Sequence, residues 1–316
     1  MLKNYRRKKS LFLKLHGGLG DQLSMFFSAV EIATLSSREL VLCRWTIDQT
    51  HSGSPFGLLA LVGQNYPVET RQRTSNRLSM KIYRLSTGFF RVRLQERSFF
   101  KIKLLLDRLF GIINNVISFE YDVAKSGFIE KELKLLKRRR KVYLDSYFSS
   151  FVNYQGLDLR AMLPGLAENF EESFGENYAV AHFRVGDIVD TYTSRGVLGP
   201  DYYESCIKSV LAIEPRATIF GVSDNVKRAK TMYPNLPINW IEQSDTYDAL
   251  KVLKLLANSR FLIAANSGLS YWAGRLGTST ELVYVPLFPT KLDLATNAIW
   301  EPLDQNWLLI ENRFIP

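Results

Sequence analysis

Tyr178-Ala179-Val180-Ala181-His182-Phe183-Arg184-Val185-Gly186-Asp187 is the stretch on which the reading of this chain turns. An almost unbroken apolar run gives way abruptly to arginine, glycine and aspartate. That is the pattern of a strand covered on both faces where it leaves a parallel sheet. We expect a strand from Tyr178 to Arg184. Two more segments have the same character. Ala217 to Val222 ends in Ser223-Asp224-Asn225, and Phe261 to Ala265 ends in Asn266-Ser267-Gly268-Leu269-Ser270-Tyr271-Trp272. Helical spacing fills the gaps. Pro200 to Leu211 reads as one helix. Asp245 to Asn258 reads as another, with Leu250, Leu253, Leu256 and Ala257 on one side and Ser244 or Asp245 as its cap. A short helix, Ser270 to Leu276, and a last strand, Leu282 to Val285, follow. In parallel α/β sheets ligands bind outside the carboxyl ends of the strands, so three polar strand ends in order imply one shared crevice.

The N-terminal side repeats the theme. Leu11 to Leu15 reads as a strand, His16 to Gln22 as a tight glycine loop, Leu23 to Leu35 as a helix and Leu40 to Cys43 as a second strand. The expected class is therefore α/β with two units, residues 1–160 and 161–316. Residues 50–75 read as irregular, and the tail carrying Trp300 and Trp307 should pack back on the body.

The chain has 316 residues, 46% of them hydrophobic, which is enough for two real cores. Its formal charge is +10, which favours anionic partners. Much of that charge lies between Arg71 and Lys141, with 19 Lys and Arg against 6 Asp and Glu. Within this insertion, Phe99 to Phe119 mixes apolar residues with Lys101, Lys103 and Arg108. It reads either as a basic amphipathic helix on an anionic membrane or as a core-packing helix with a solvated face. Two cysteines, Cys43 and Cys206, exclude a disulfide framework and a cysteine zinc site and suit a reducing compartment. The apolar run after the basic N-terminus is shorter than a signal peptide needs, and no stretch reaches the ~18 to 20 apolar residues of a membrane span. We expect a cytoplasmic protein, soluble or peripheral at the inner face of the membrane.

The ordered motifs resemble the α-1,2-fucosyltransferase family of GT-B-type glycosyltransferases. Gly17-Gly18-Leu19-Gly20-Asp21-Gln22-Leu23 resembles that family's Gly-Gly-Leu-Gly-Asn-Gln opening. His182-Phe183-Arg184-Val185-Gly186-Asp187 resembles its His-x-Arg-Arg-x-Asp motif, with Val185 in place of the second arginine. Tyr202-Tyr203, Ser223-Asp224 and Asn266 to Trp272 follow in the family's order, with Asn225, Gly268 and Tyr271 as departures. The likeness spans about residues 11 to 290 and skips the basic insertion. It implies two Rossmann-like domains facing a cleft. It also implies inverting transfer of L-fucose from GDP-β-L-fucose to the 2-hydroxyl of a galactose-like acceptor, in surface polysaccharide (O-antigen) synthesis. The partners would be the GDP-sugar donor and a galactosyl glycan or lipid-linked oligosaccharide acceptor. No nucleic acid and no cofactor are expected.

The residues carry matching chemistry. Breaking the anomeric bond leaves negative charge on a diphosphate. The chain contains no Asp-x-Asp for a metal, so Arg184, an always-charged fork, is the natural counter-charge, unless it merely pairs with Asp187. Asn266, Ser267, Gly268 and Ser270 sit where a helix N-terminus would hold an anion, or where they simply cap that helix. Ser223 and Asp224 read as base or ribose contacts, or as a capped turn. His182 reads as a group that orients Arg184 or touches the donor, or as a hydrogen-bonded core residue. Asp187 holds Arg184 or accepts the acceptor's proton, and Asp21 is a second candidate base. Gly17, Gly18 and Gly20 shape the cleft floor or form a structural turn, and Gln22 is placed toward the acceptor. Three rivals stay open. They are another GDP-sugar as donor, a non-catalytic nucleic-acid-binding protein suggested by charge alone, and a dehydrogenase, whose Gly-x-Gly-x-x-Gly spacing residues 17 to 22 lack.

Overall fold

The structure is a computed structural model and describes residues 9–44, 56–70, 116–117, 140–144, 157–166, 177–190, 195–242, 248–296 and 305–315. The chain divides into two compact units. The first holds Met1–Gly17, Asp21–His51 and Leu58–Leu163; the second holds Gly18–Gly20, Ser52–Gly57 and Pro164–Pro316. The class is mixed α/β with parallel sheets.

The first unit is built on β1 (Ser10–Lys14), β2 (Glu39–Cys43), β3 (Val68–Glu69), β4 (Val116–Ile117) and β5 (Lys141–Leu144), in the order β3-β2-β1-β5-β4. Every pairing is parallel. Helix α1 (Leu19–Leu35) links β1 to β2, and α2 (Gly57–Val62) precedes β3. Leu11, Leu13 and Leu15 are fully buried, as a central parallel strand demands. Three expectations need correction here. Helix α1 begins at Leu19, so Gly20, Asp21 and Gln22 lie in its first turn rather than in the loop. The stretch read as irregular contains α2 and β3. Val116–Ile117, read as the end of a basic helix, is a strand paired with β5. The rest of that expected helix lies outside the described residues.

The second unit holds β6 (Tyr178–Phe183), β7 (Thr218–Ser223), β8 (Asn239–Trp240), β9 (Phe261–Ile263), β10 (Leu282–Pro286) and β11 (Trp307–Ile310). Their order is β11-β10-β9-β6-β7-β8, all parallel. Counted from β6, that is 3-2-1-4-5-6, the doubly wound order whose direction of growth reverses between the first and fourth strands. The reversal falls between β6 and β9. Between the strands run α3 (Asp187–Asp190), α4 (Pro200–Ile213), α5 (Val226–Met232), α6 (Ala249–Ala257), α7 (Gly268–Leu276) and α8 (Lys291–Thr296). All six residues of β6 are buried, which is why it reads as a continuous apolar run.

The helix ends follow local chemistry. Pro200 opens α4, where a missing N–H costs nothing. Asn225 caps α5, and Ser267 caps α7. Helix α6 is capped by Asp248, which accepts from the Leu250 and Lys251 amides, so it starts later than the sequence reading placed it. Ser244 and Asp245 lie outside the described residues. In the C-terminal tail, Trp307–Ile310 pairs with β10 as an edge strand. Trp300 lies outside the described residues. Cys43 and Cys206 are buried free thiols. Among the described residues no helix is long and apolar enough to cross a membrane.

Candidate active site

The carboxyl ends of β6 and β9 meet at the reversal of the second sheet, and the residues beyond them are held by a dense set of hydrogen bonds. The turn after β6 is bound to the end of β7 through Asp224. Asp224 Oδ1 accepts from the amides of Val185 at 3.0 Å and Gly186 at 2.9 Å. Its Oδ2 meets Arg184 Nη1 at 2.9 Å. Arg184 Nη2 also lies against Asp187, at 2.8 Å from Oδ2 with hydrogen-bond geometry and at 2.7 Å from Oδ1. The guanidinium is thus shared between two carboxylates. The Asp224 side chain is 6% exposed, whereas those of Arg184 and Asp187 are 26% and 35% exposed. A ligand can compete for Arg184 with Asp187 more readily than with Asp224.

Gly186 is required by this packing. A Cβ there would stand 2.6 Å from Asp224 Oδ2 and 2.8 Å from its Cγ. Ser223 is buried, and its hydroxyl accepts from the Asn225 amide at 3.1 Å. The expected pair Ser223 and Asp224 is therefore brought to the site, but as the bracket that holds the Arg184 turn.

His182 is fully buried at the end of β6, and its Nδ1 lies 2.5 Å from Ser270 Oγ. Burial drives its pKa down to about 4, opposed by the carboxylate of Asp224 and reinforced by Arg184, so the ring is neutral near pH 7. Nε2 has no hydrogen-bond partner among the described residues. Ser270 also accepts from the Ala265 amide at 3.2 Å and is itself fully buried. It couples β6, the β9 end and α7. Asn266 spends both amide protons on Gly196 O (3.0 Å) and Pro289 O (3.1 Å), and Ser267 Oγ accepts from Leu269 N–H at 3.3 Å. These side chains shape the loop before α7. Of the N-terminal amides of α7, that of Leu269 is already taken by Ser267.

The glycine loop is placed by different means. Gly17 has φ of +66°, a conformation that favours glycine. Gln22 is fully buried, and its Nε2 donates to Gly17 O at 3.1 Å, closing the loop on itself. Gln22 therefore acts on the loop from behind rather than presenting its amide at an accessible surface. Gly18 has open space around it. Gly20, within the second unit, packs so closely on α7 that a Cβ would stand 2.5 Å from the Leu269 nitrogen. Asp21 is exposed in the first turn of α1.

Sequence reasoning missed what holds the strand ends. Tyr203 OH donates to His182 O at 3.0 Å. Tyr202 OH reaches Ala264 O at 2.7 Å, just past the end of β9, and Tyr284 O at 3.1 Å, in the middle of β10, bridging the two strands. Both phenols are wholly buried, which pushes their pKa values well above the usual range, so they stay donors. Arg228 was missed too. Its Nη1 donates to Val185 O, Gly186 O and Asp190. Nothing in the local sequence marks it. Among the described residues no cluster of His, Cys, Asp and Glu could hold a metal ion.

No family model matches the chain. A 114-residue stretch is 31% identical to the O-antigen biosynthesis glycosyltransferase WbnK of Escherichia coli, covering 34% of this chain and 37% of that protein. The match thus spans little more than a third of the relative's length. Among solved structures, the fucosyltransferase NodZ from Bradyrhizobium aligns over 87% of this chain and 95% of its own, at 14% identity and a TM-score of 0.49. An Arabidopsis thaliana FUT1 mutant in complex with GDP aligns over 91% and 72%, at 15% identity and a TM-score of 0.48. POFUT1 in complex with GDP-fucose aligns over 87% and 97%, at 15% identity and a TM-score of 0.47. These TM-scores lie below 0.5, and the fold described above rests on the sheet order alone.

Proposed function

We propose that this chain is a glycosyltransferase of GT-B type that moves L-fucose from GDP-β-L-fucose to the 2-hydroxyl of a galactose-like acceptor, with inversion and without a metal. The observation that carries the reading is Arg184. It is a partly exposed guanidinium just beyond the end of β6, at the reversal of the sheet, oriented by a nearly buried Asp224. A donor diphosphate takes over from Asp187 at Arg184 and uses the N-terminal amides of α7, and the growing negative charge is stabilised by groups already in place. Asp187, released from Arg184, is the candidate base. His182, neutral and buried, supports the end of β6 beside Arg184 through its contact with Ser270. The local identity to an O-antigen glycosyltransferase supports a surface-polysaccharide acceptor, glycan or lipid-linked. The metal-free mechanism rests on the absence of Asp-x-Asp from the sequence.

Release of GDP from GDP-fucose, with galactosyl acceptors in EDTA, tests this directly. We expect acceptor-stimulated turnover that persists in EDTA and falls at least about a hundredfold in Arg184→Ala. Folded protein without turnover, or turnover that needs a metal, would refute it. Val185, buried in the core where a second arginine stands in the resembled motif, favours one alternative, another GDP-sugar as donor. Competition among GDP-sugars for the same site decides between them. Contact with anionic membrane through Lys101, Lys103 and Arg108 is part of the same proposal. Neutralising the three should abolish binding to anionic vesicles, and unchanged binding removes the idea.

A further inference from the structure

Resting on the reading of the β6 turn as the donor site, we propose that Arg228 is a positioning residue, which with Asp190 fixes the Val185-Gly186 turn and through it the aim of Arg184. The turn is gripped from two directions. Asp224 takes its two amide protons, and Arg228 Nη1 supplies donors to the two carbonyls, Val185 O at 3.1 Å and Gly186 O at 3.2 Å. Gly186 O also receives the Val189 amide, at 3.2 Å, in the opening turn of α3. Val185 O has Arg228 as its donor among the described residues. Arg228 is in turn oriented by Asp190, with Nη1 at 3.0 Å from Oδ2 and Nη2 at 3.4 Å from Oδ1.

The geometry distinguishes positioning from phosphate binding. Nη1 already serves two carbonyls and one carboxylate, so its hydrogen-bonding capacity is taken up by the protein. The Val185 side chain, fully buried in the core, anchors the turn from below but offers it no polar contact. Arg228 sits on α5, one turn after the Asn225 cap, and Asn225 Oδ1 holds the Arg228 amide at 3.0 Å. The end of β7 therefore supplies the amide-side grip through Asp224, and the helix that follows supplies the carbonyl-side grip through Arg228. The second arm, Nη2 on Asp190 Oδ1, is what a lysine ammonium lacks, so the fork that fixes the direction of Nη1 is lost with lysine.

The experiment uses the full chain with Arg228→Lys, Arg228→Gln and Asp190→Asn. Two readouts are taken, namely hydrogen exchange of the 183–190 amides without ligand, and kcat and donor KM with GDP-fucose. We expect exchange in that turn to quicken about tenfold in both Arg228 variants, with β10 and β11 unchanged. We also expect kcat to fall about ten- to a hundredfold with a smaller change in KM, as a misplaced catalytic group gives, without rescue by lysine. Asp190→Asn should show the same pattern, more weakly. Lysine restoring both kcat and KM would overturn the proposal in favour of a plain phosphate-binding cation. Unchanged exchange would overturn it as well. Wild-type protein that binds no GDP-sugar would refute the donor-site reading, and the exchange result would still decide whether Arg228 sets the turn.

Discussion

Gly186→Ala should be costly for one reason only, the nearness of Asp224, and that reason can be isolated. The added Cβ would stand 2.6 Å from Oδ2 and 2.8 Å from Cγ, so the carboxylate must retreat by close to 1 Å to reach ordinary contact. That carboxylate is nearly buried and holds two backbone amides and Arg184. Hydrogen bonds to a charged group contribute about 1.5 to 3 kcal/mol each, and displacement weakens two of them together, giving an expected loss of roughly 2 to 4 kcal/mol. Asp224→Ala removes the same carboxylate and leaves two amides without an acceptor, for roughly 3 to 5 kcal/mol. Gly186 is not among the positive-φ glycines, so alanine meets no backbone strain there. On the Asp224→Ala background the methyl enters vacated space, and the further cost should be below about 0.5 kcal/mol, or a slight gain from the stiffer unfolded chain. The coupling between the two sites is then at least about 1.5 kcal/mol. Urea unfolding followed by tryptophan fluorescence suits the measurement, because four of the five tryptophans lie in the second unit. Costs that add within about 0.5 kcal/mol, or a Gly186→Ala loss below about 1 kcal/mol, would refute the reasoning.

Other outcomes follow from the same geometry. His182 has a folded pKa of about 4 against an ordinary 6.5, so between those values the unfolded chain takes up a proton that the folded chain refuses. Stability should therefore fall as pH drops from 6.5 toward 4, by up to about 1.4 kcal/mol per pH unit from this residue. His182→Gln should flatten the curve in that window, and an identical slope would show that His182 is not the group responsible. Asp187→Asn should tighten GDP binding a few-fold in calorimetry by freeing Arg184, while lowering kcat by about a hundredfold or more if Asp187 is the base. Weaker GDP binding would contradict the competition between Asp187 and phosphate. Tyr203→Phe should cost about 1 to 2 kcal/mol by leaving His182 O without its donor, and an unchanged urea midpoint would show that the carbonyl finds another.

How much of this was legible in the sequence differs from element to element. Strands β6, β7 and β9 were readable because burial on both faces turns a strand into an apolar run with polar punctuation. The pattern also marked Arg184, Asp187, Asp224 and the Asn266 loop as one neighbourhood. Strands β3, β4 and β8 were not readable, since two residues carry no periodicity. Strand β11 looked like tail because its pairing with β10 depends on a partner some twenty residues away. The roles within the site were harder still. Ser270 looked like a ligand contact at a helix start, yet it lies buried against His182, 88 residues earlier in sequence. Asp224 read as a base or ribose contact or as part of a capped turn, and in the structure it holds the neighbouring turn through two amides.

By itself, then, the sequence determined which segments must be buried and where polar groups interrupt them, because burial and periodicity are local properties of a strand or helix. It also determined the helix start at Pro200, whose chemistry lies within a turn, whereas α7 begins at Gly268, two residues before the Ser270 expected, with Ser267 rather than Asn266 as its cap. Strand order, the reversal between β6 and β9, and the partners of Asp224, Ser270, Tyr203 and Arg228 were decided only in the tertiary structure. Those partners are separated by tens of residues. Each pairing exists because a parallel sheet sets the ends of distant strands about 5 Å apart, a distance that no local pattern encodes.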